Sequence, residues 1–447
     1  RRFPSKARQN IDWARERSHE SYTTYYIMVY PRYQPLAGRG AVTDPLYEPL
    51  TSQGCFWEQQ NGFECPGFFN SSQVPLLKYD WQGKFKHEPH QHYPYRDVLQ
   101  QSFSFGRPLY DHYIESEYMA IQDKCAVVNE SSIGKILLSG PDVDKAVDWL
   151  FVNNVVKDGN AMNSNLILNK CGGIEAKVNI FTLDHLSRLG TEDGIEYLVT
   201  SGSGTGSITW RSIRDLCHKQ ELNINVTSYT HSLAVLTFLG PESGLVLSSA
   251  GICDSSHPVG NHSLANAADQ KLRVCRWAPN HWELHIPIDG VLDVYNMVMD
   301  VGKSFKIKNC GFRAVDVYNL ENGKVSYNDV RPDDTPLEAQ IWSEPNTCDY
   351  LGKKALLKQR ELGVCKSRFM FQLLNDGDVC GLEGIVRDGE LVGTVRTAAY
   401  SYKMRTPIAS GYITHQIQQP PTLNDLQKSC WEIESMGKRL PAKIYHH

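Results

Sequence analysis

The sequence predicts an α+β protein of three lobes: two ferredoxin-like α+β lobes and then a C-terminal antiparallel β-barrel. Three observations point there. Between residues 96 and 344 the segments run strand, helix, strand, strand, helix, strand, and that order is used twice. From 345 to 447 the pattern changes to short strands divided by turns. Residues 1–95 hold few helical repeats and many Tyr, Pro and Gly, which reads as an extended arm laid on a larger body.

In the arm, PLAGRG, DPLYEPL and ECPGFF punctuate the chain, and aromatics such as Tyr22, Tyr25, Tyr26, Phe56, Trp57 and Phe68 are expected to bury their ring faces. His87, His90 and His92 lie between prolines, which favours a solvated loop over a metal site, and no metal is expected. Residues 135–138 read as a strand. The stretch PDVDKAVDWLF at 141–151 opens on Pro and acids and spaces its apolar residues as a helix does. Residues 165–168, 174–183 and 195–200 alternate like strands, and 207–219 reads as a helix. A strong strand at 233–239 leads into a helix start at 240–243, with a strand at 282–287 and a helix at 291–302 beyond. In the barrel, 369–374, 384–387, 391–396 and 408–413 are strands, Asp388-Gly389 marks a hairpin, and 418–421 is a polar, proline-bearing loop.

Composition narrows the function. Net charge is -4 and well mixed, so a nucleic-acid surface is not expected. No apolar run is long enough to cross a bilayer. The twelve cysteines are dispersed and form no Cys-x-x-Cys pair. They fit disulfides in an oxidising compartment, with Cys55 and Cys65 as the expected bridge; the competing reading is buried free thiols. Four Asn-x-Ser/Thr sequons, at Asn70, Asn129, Asn225 and Asn261, point the same way, toward a secreted glycoprotein. Gly202-Ser203-Gly204-Thr205-Gly206 has the wrong spacing for a dinucleotide fingerprint and reads as a turn.

Nine segments carry a resemblance. They are ERSHESY at 16–22, PLAGR at 35–39, DPLYEPL at 44–50, QGC at 53–55, and then YDWQG, WELHIP, RPDDTPLEA, DYLGKKAL and GELVGTVR. The sequence resembles the sarcosine and dimethylglycine dehydrogenases, and GFRAVDVYNLENGKVSYNDVRPDDTPLEA at 311–339 looks like their tetrahydrofolate half. The resemblance implies a T-protein-like arrangement around a folate-sized hole. It also implies that FAD belongs only to a segment outside this chain. Glu283, Arg313 and Tyr197 are then the expected ligand-binding residues, with tetrahydrofolate the cofactor if the module is active.

Two loops depart from the family. Its Gly-Gly-x-x-x-Asp-Leu is here Gly172-Gly173-Ile174-Glu175-Ala176-Lys177-Val178, so Lys177 stands where the family has its working acid. An ammonium group cannot accept a proton as a carboxylate does, and it repels a cationic iminium. The family's Gly-Glu-Leu-Gly-Trp-Glu is here Ala278-Pro279-Asn280-His281-Trp282-Glu283, which trades glycine freedom for Ala and His. His281 and His285 flank Glu283 on a strand, so they form no zinc helix. Asp316 and Glu321 are expected to build an ion network between lobes, and Asp333, Asp334 and Glu338 to cap loops and helices.

The resulting expectation is a non-catalytic relative of the folate module, a secreted binding or structural protein whose central cavity takes a small planar ligand, with a protein partner or a second copy as further options. The alternatives are the C-terminal part of a mitochondrial-matrix, flavin-dependent enzyme that passes a one-carbon unit to tetrahydrofolate, and a regulatory subunit on the same scaffold.

Overall fold

The computed structural model describes residues 11–26, 28, 30–35, 37–70, 104–157, 159–185, 187, 189, 194–342, 347–415 and 423–445. His87, His90, His92 and the 418–421 loop lie outside them.

The arm begins with the helix Ile11–Thr23 and the short helix Tyr47–Ser52. It then forms an antiparallel hairpin of β1 (Cys55–Gln60) and β2 (Phe63–Phe69). The hairpin is fixed to the body by its aromatics. Trp57 is buried in the core of the second lobe with Leu46 and Leu50, and Phe68 stacks on Tyr110. Tyr22, Tyr25 and Tyr26, by contrast, are exposed.

The expected Cys55–Cys65 bridge is absent, and register explains why. Cys55 faces Phe69 whereas Cys65 faces Glu58. That offset of three residues is roughly 10 Å of strand, beyond the reach of a disulfide. The Cys65 thiol instead lies 3.3 Å from both Ser132 Oγ and Ser203 Oγ. All twelve cysteines are free thiols.

After the helix Asp111–Asp123, the chain lays down β3 (Ala126–Asn129) and enters the first lobe. Here β4 (Ile133–Ser139), β5 (Met162–Leu168), β6 (Ile174–Leu183), β7 (Glu196–Ser203) and β8 (Asn225–Ser228) form one antiparallel sheet in the order β5-β6-β7-β4-β8. The helices Val143–Leu150 and Gly206–Lys219 cover one face. Val143, Ala146, Val147 and Leu150 recur at helical spacing and are the buried positions of the first helix.

The second lobe repeats the plan. Its strands are β9 (Leu233–Leu239), β10 (Asn261–Ala267), β11 (Gln270–Ala278), β12 (His281–Pro287) and β13 (Lys308–Asn309), with helices Ser243–Ser249 and Val291–Gly302. The sheet order is β10-β11-β12-β9-β3-β13. Each lobe is therefore strand, helix, three-strand meander, helix, strand. This corrects the ferredoxin-like order by one strand per lobe, and β3 from ahead of the first lobe is inserted beside β9. All seven residues of β9 are buried, because helices cover one face of its sheet and the first lobe the other. The two sheets meet along their edges, where Met162 N donates to Gly260 O at 3.0 Å and His262 N to Asn160 O at 2.9 Å.

The C-terminal strands β14 (Lys366–Leu373), β15 (Gly384–Arg387), β16 (Glu390–Ser401), β17 (Thr406–Thr414), β18 (Trp431–Ser435) and β19 (Lys438–Tyr445) close into an antiparallel barrel. The expected α+β class and barrel are thus observed. Asp388 and Gly389, both at positive φ, make the hairpin turn between β15 and β16. The barrel packs on the first lobe through Leu166, Ile174, Leu356 and Tyr412.

Candidate functional site

A cavity of ≈ 490 Å³ lies between the two sheets, within the size range of small-molecule sites. Glu130, Lys177, Thr237, His281, Glu283 and Lys324 are among its lining residues. A second cavity of ≈ 570 Å³ shares the side formed by Glu130, Asn319 and Tyr327.

The Gly-Gly turn aims Lys177. Asn169 Oδ1 accepts from Cys171 N at 2.9 Å and Gly173 N at 3.0 Å, while its Nδ2 donates to Pro332 O at 2.8 Å. A Cβ on Gly173 would stand 1.9 Å from Pro332 O, so only glycine lets the turn seat against that loop. From this turn β6 runs out with Lys177 on the cavity wall, and Lys177 Nζ donates to Val325 O at 2.8 Å. Burial, and then the charge of Lys324, push the ammonium pKa down. Glu175 lies elsewhere, exposed and bonded by Asn169 Nδ2 at 3.2 Å.

Glu283 lies on β12 with its carboxylate buried. His285 Nε2 lies 3.2 Å from Oε2, and His281 Nε2 lies 3.6 Å from Oε1. Burial raises the Glu283 carboxyl, but the two imidazoles beside it, His281 and the hydrogen-bonded His285, outweigh it, and the net shift is downward. Burial also lowers His285, so the pair consists of a neutral imidazole donating to an ionised carboxylate. The 278–281 loop is unstrained, since none of its residues has a positive φ. Ala, Pro and His here replace glycine without the backbone cost expected of them.

Glu130 was not legible as a site residue. It follows β3 directly, and Thr237 Oγ1 donates to its Oε2 at 2.5 Å. Thr237 pairs in register with Glu283, so both carboxyls face one cavity. Burial, and then the charge of Glu283, push Glu130 up. The two carboxyls are driven in opposite directions, Glu283 toward the anion and Glu130 toward the acid.

The other expected ligand-binding residues lie elsewhere. Tyr197 points to the opposite face of β7, among Val147, Val199 and Ile213, and its hydroxyl donates to Asp144 Oδ1 at 2.6 Å. Arg313 lines a separate cavity of ≈ 230 Å³ and donates from Nε and Nη2 to Glu58 at 2.8 and 2.7 Å. The ion network expected at Asp316 and Glu321 is carried by this Arg313–Glu58 pair. Glu321 accepts from Tyr118 Oη and from Ser401 Oγ, while Asp316 faces the cavities with its carboxyl pushed up to about 7 by burial. Asp334 joins loop to barrel through Lys366 at 2.6 Å and Arg396 at 3.4 Å, and Glu338 accepts from Thr335 N at 2.9 Å.

Among the sequons, Asn225 is exposed, and Asn70 and Asn261 are partly covered. Asn129 is buried, donating to Asp44 Oδ2 at 2.9 Å and accepting from Ser131 Oγ at 2.6 Å, so folded protein offers no amide there for glycosylation. With every cysteine free as well, the cysteine argument for secretion falls away. No helix among the described residues is long and apolar enough to cross a membrane.

Comparison with known proteins agrees with this geometry. Residues 46–342 match the GCVT N-terminal domain, 366–447 the glycine cleavage T-protein C-terminal barrel domain, and 1–43 the FAD dependent oxidoreductase central domain. The chain is 33% identical to mitochondrial sarcosine dehydrogenase of Mus musculus, over 100% of this chain and 50% of that protein. It is 27% identical to the mitochondrial pyruvate dehydrogenase phosphatase regulatory subunit of Mus musculus, over 96% of this chain and 48% of that one. It is 26% identical to mitochondrial dimethylglycine dehydrogenase of Homo sapiens, over 96% and 46%. The chain spans about half the length of these curated relatives. Among solved structures, aminomethyltransferase T of the Bartonella henselae glycine cleavage system shares the fold, with a TM-score of 0.70 at 16% identity over 91% of this chain and 97% of that one.

Proposed function

Because the chain belongs to the glycine-cleavage T-protein (GCVT) family, carrying both the N-terminal domain and the barrel domain of the folate-binding half of sarcosine dehydrogenase relatives, we propose that it is a tetrahydrofolate-type binding module that does not transfer the one-carbon unit. One observation carries this reading: Glu283 and Lys177 line the same cavity. The ionised, imidazole-braced Glu283 suits the paired N–H donors of a pterin edge. Tetrahydrofolate supplies the nucleophilic nitrogen in one-carbon transfer, and this chain's residues hold and orient the ring. Lys177 stands in place of the family's carboxylate, and the cationic wall it shares with Lys324 disfavours a cationic iminium donor. The module is proposed to act within a longer mitochondrial-matrix protein, and the match of residues 1–43 to a flavoprotein segment supports that placement.

Titration calorimetry with tetrahydrofolate tests the binding half. The chain is expected to bind, and Glu283→Gln to weaken binding by about ten- to a hundredfold, the worth of hydrogen bonds to a charged acceptor. Equal affinity for the two proteins would remove Glu283 from the site.

A second reading is a regulatory subunit, favoured by the likeness to the phosphatase regulatory subunit over nearly the whole chain. It predicts a stoichiometric complex with a partner enzyme on size exclusion. A chain that migrates alone from a mitochondrial extract counts against it.

A further inference from the structure

Lys177 and Lys324 share the wall of the ≈ 490 Å³ cavity. Among the described residues, the Lys177 ammonium is met by the Val325 carbonyl at 2.8 Å and by no carboxylate, and Lys324 forms no salt bridge. Arg368 adds a further positive charge toward Lys177. Asp329 opposes them, but Oδ2 accepts from Ser326 N at 2.7 Å and Oγ at 2.8 Å, and Oδ1 accepts from Thr397 Oγ1. A lysine desolvated beside another cation is the environment that turns an ammonium group into a nucleophilic amine.

We propose that Lys177 is a carbonyl-capturing amine and that its ligand is a small α-oxo acid, whose carboxylate pairs with the Lys324 ammonium. The lone pair of the unprotonated Nζ adds to the carbonyl carbon. A C–N bond forms, the C=O π electrons move to oxygen, and the amine proton follows to give a carbinolamine. The C–O bond then breaks, the oxygen takes a second proton and leaves as water, and C=N forms. No oxidant or reductant is consumed. Glu130, on the same wall and pushed up by burial and by the charge of Glu283, is placed to supply the one that water carries away. The proposal goes beyond the folate reading and does not depend on it.

The test is reductive trapping of the whole chain with glyoxylate and cyanoborohydride at neutral pH, followed by peptide mapping. Carboxymethylation of Lys177 is expected to outrun that of the exposed Lys271 and Lys358 by about tenfold for each pKa unit between them. Lys324→Met is expected to slow capture of glyoxylate far more than capture of uncharged glycolaldehyde. In wild-type protein, excess acetate is expected to compete with glyoxylate, which keeps the test open if the variant misfolds. Labelling of Lys177 no faster than Lys271, or glyoxylate capture indifferent to both acetate and Lys324→Met, overturns the proposal. The readout contains no folate, so such a failure leaves pterin binding at Glu283 standing.

Discussion

Arg313 grips Glu58 with two parallel hydrogen bonds, Nε to Oε1 at 2.8 Å and Nη2 to Oε2 at 2.7 Å. Glu58 belongs to the arm hairpin and Arg313 to the helix Phe312–Glu321, so one planar ion pair joins a segment before both lobes to a helix after them. The Glu58 side chain is only 2% exposed. Arg313→Met therefore strands a buried carboxylate and is expected to cost about 3–5 kcal/mol. The double variant Glu58→Gln/Arg313→Met is expected to recover a large part of it, since neither charge is then left alone. Urea unfolding of the double variant and of each single variant measures this, and losses that simply add would show that the residues do not act as a pair.

Lys135 is fully buried on β4, with Nζ donating to Ser131 O at 2.7 Å. Burial brings its pKa from 10.5 down to about 7. Between those values the unfolded chain binds more protons than the folded one, so stability contributed at this position rises with pH from about 7 toward 10.5 and is lost on the acid side. Lys135→Met is expected to raise stability by a few kcal/mol below neutral pH and by much less near pH 10. Thermal melts across that range report it. A gain independent of pH would mean that the lysine is not titrating where its burial places it.

Glu130 and Glu283 make opposite predictions. Glu130→Gln is neutral, the state toward which burial and Glu283 push this carboxyl, and it keeps an acceptor for Thr237 Oγ1, so folate-type affinity is expected to change by less than about twofold. Glu283→Gln removes the ionised group and loses affinity. Parallel isotherms decide, and a larger loss from Glu130→Gln would reverse the assignment.

The thiols give a direct check on the compartment. Denatured protein without reductant is expected to release twelve equivalents in a thiol titration. Native protein is expected to react first at the exposed Cys171, Cys365 and Cys430. A shortfall in the denatured sample would restore the disulfide reading.

Elements with a strong pattern were legible in the sequence. LAVLTFL at Leu233–Leu239 and the amphipathic Val143–Leu150 declare themselves by apolar spacing. The strands β10 and β11 did not, because NHSLANA at the sheet edge and QKLRVCRWA beside it mix polar residues among the apolar ones. Lys177 and Glu283 were found because motifs surround them. Glu130 has no motif, and only the pairing of β3 beside β9 carries it to the cavity. Tyr197 failed by side: with Val199 it packs against the helices, whereas Thr200, an odd number of steps along β7, lines the cavity. The cysteine pair failed on register, since closeness in sequence around a turn does not align two positions across a hairpin.

A scaffold that keeps Glu283 as a pterin anchor and has Lys177 in place of the family's carboxylate should bind the folate without turning it over. The most direct measurement is a rapid-quench assay for methylene-tetrahydrofolate from formaldehyde and tetrahydrofolate, with and without the protein at concentrations where calorimetry shows the site filled. Binding with no acceleration over the spontaneous rate is expected. Catalytic acceleration by the wild-type chain would contradict it.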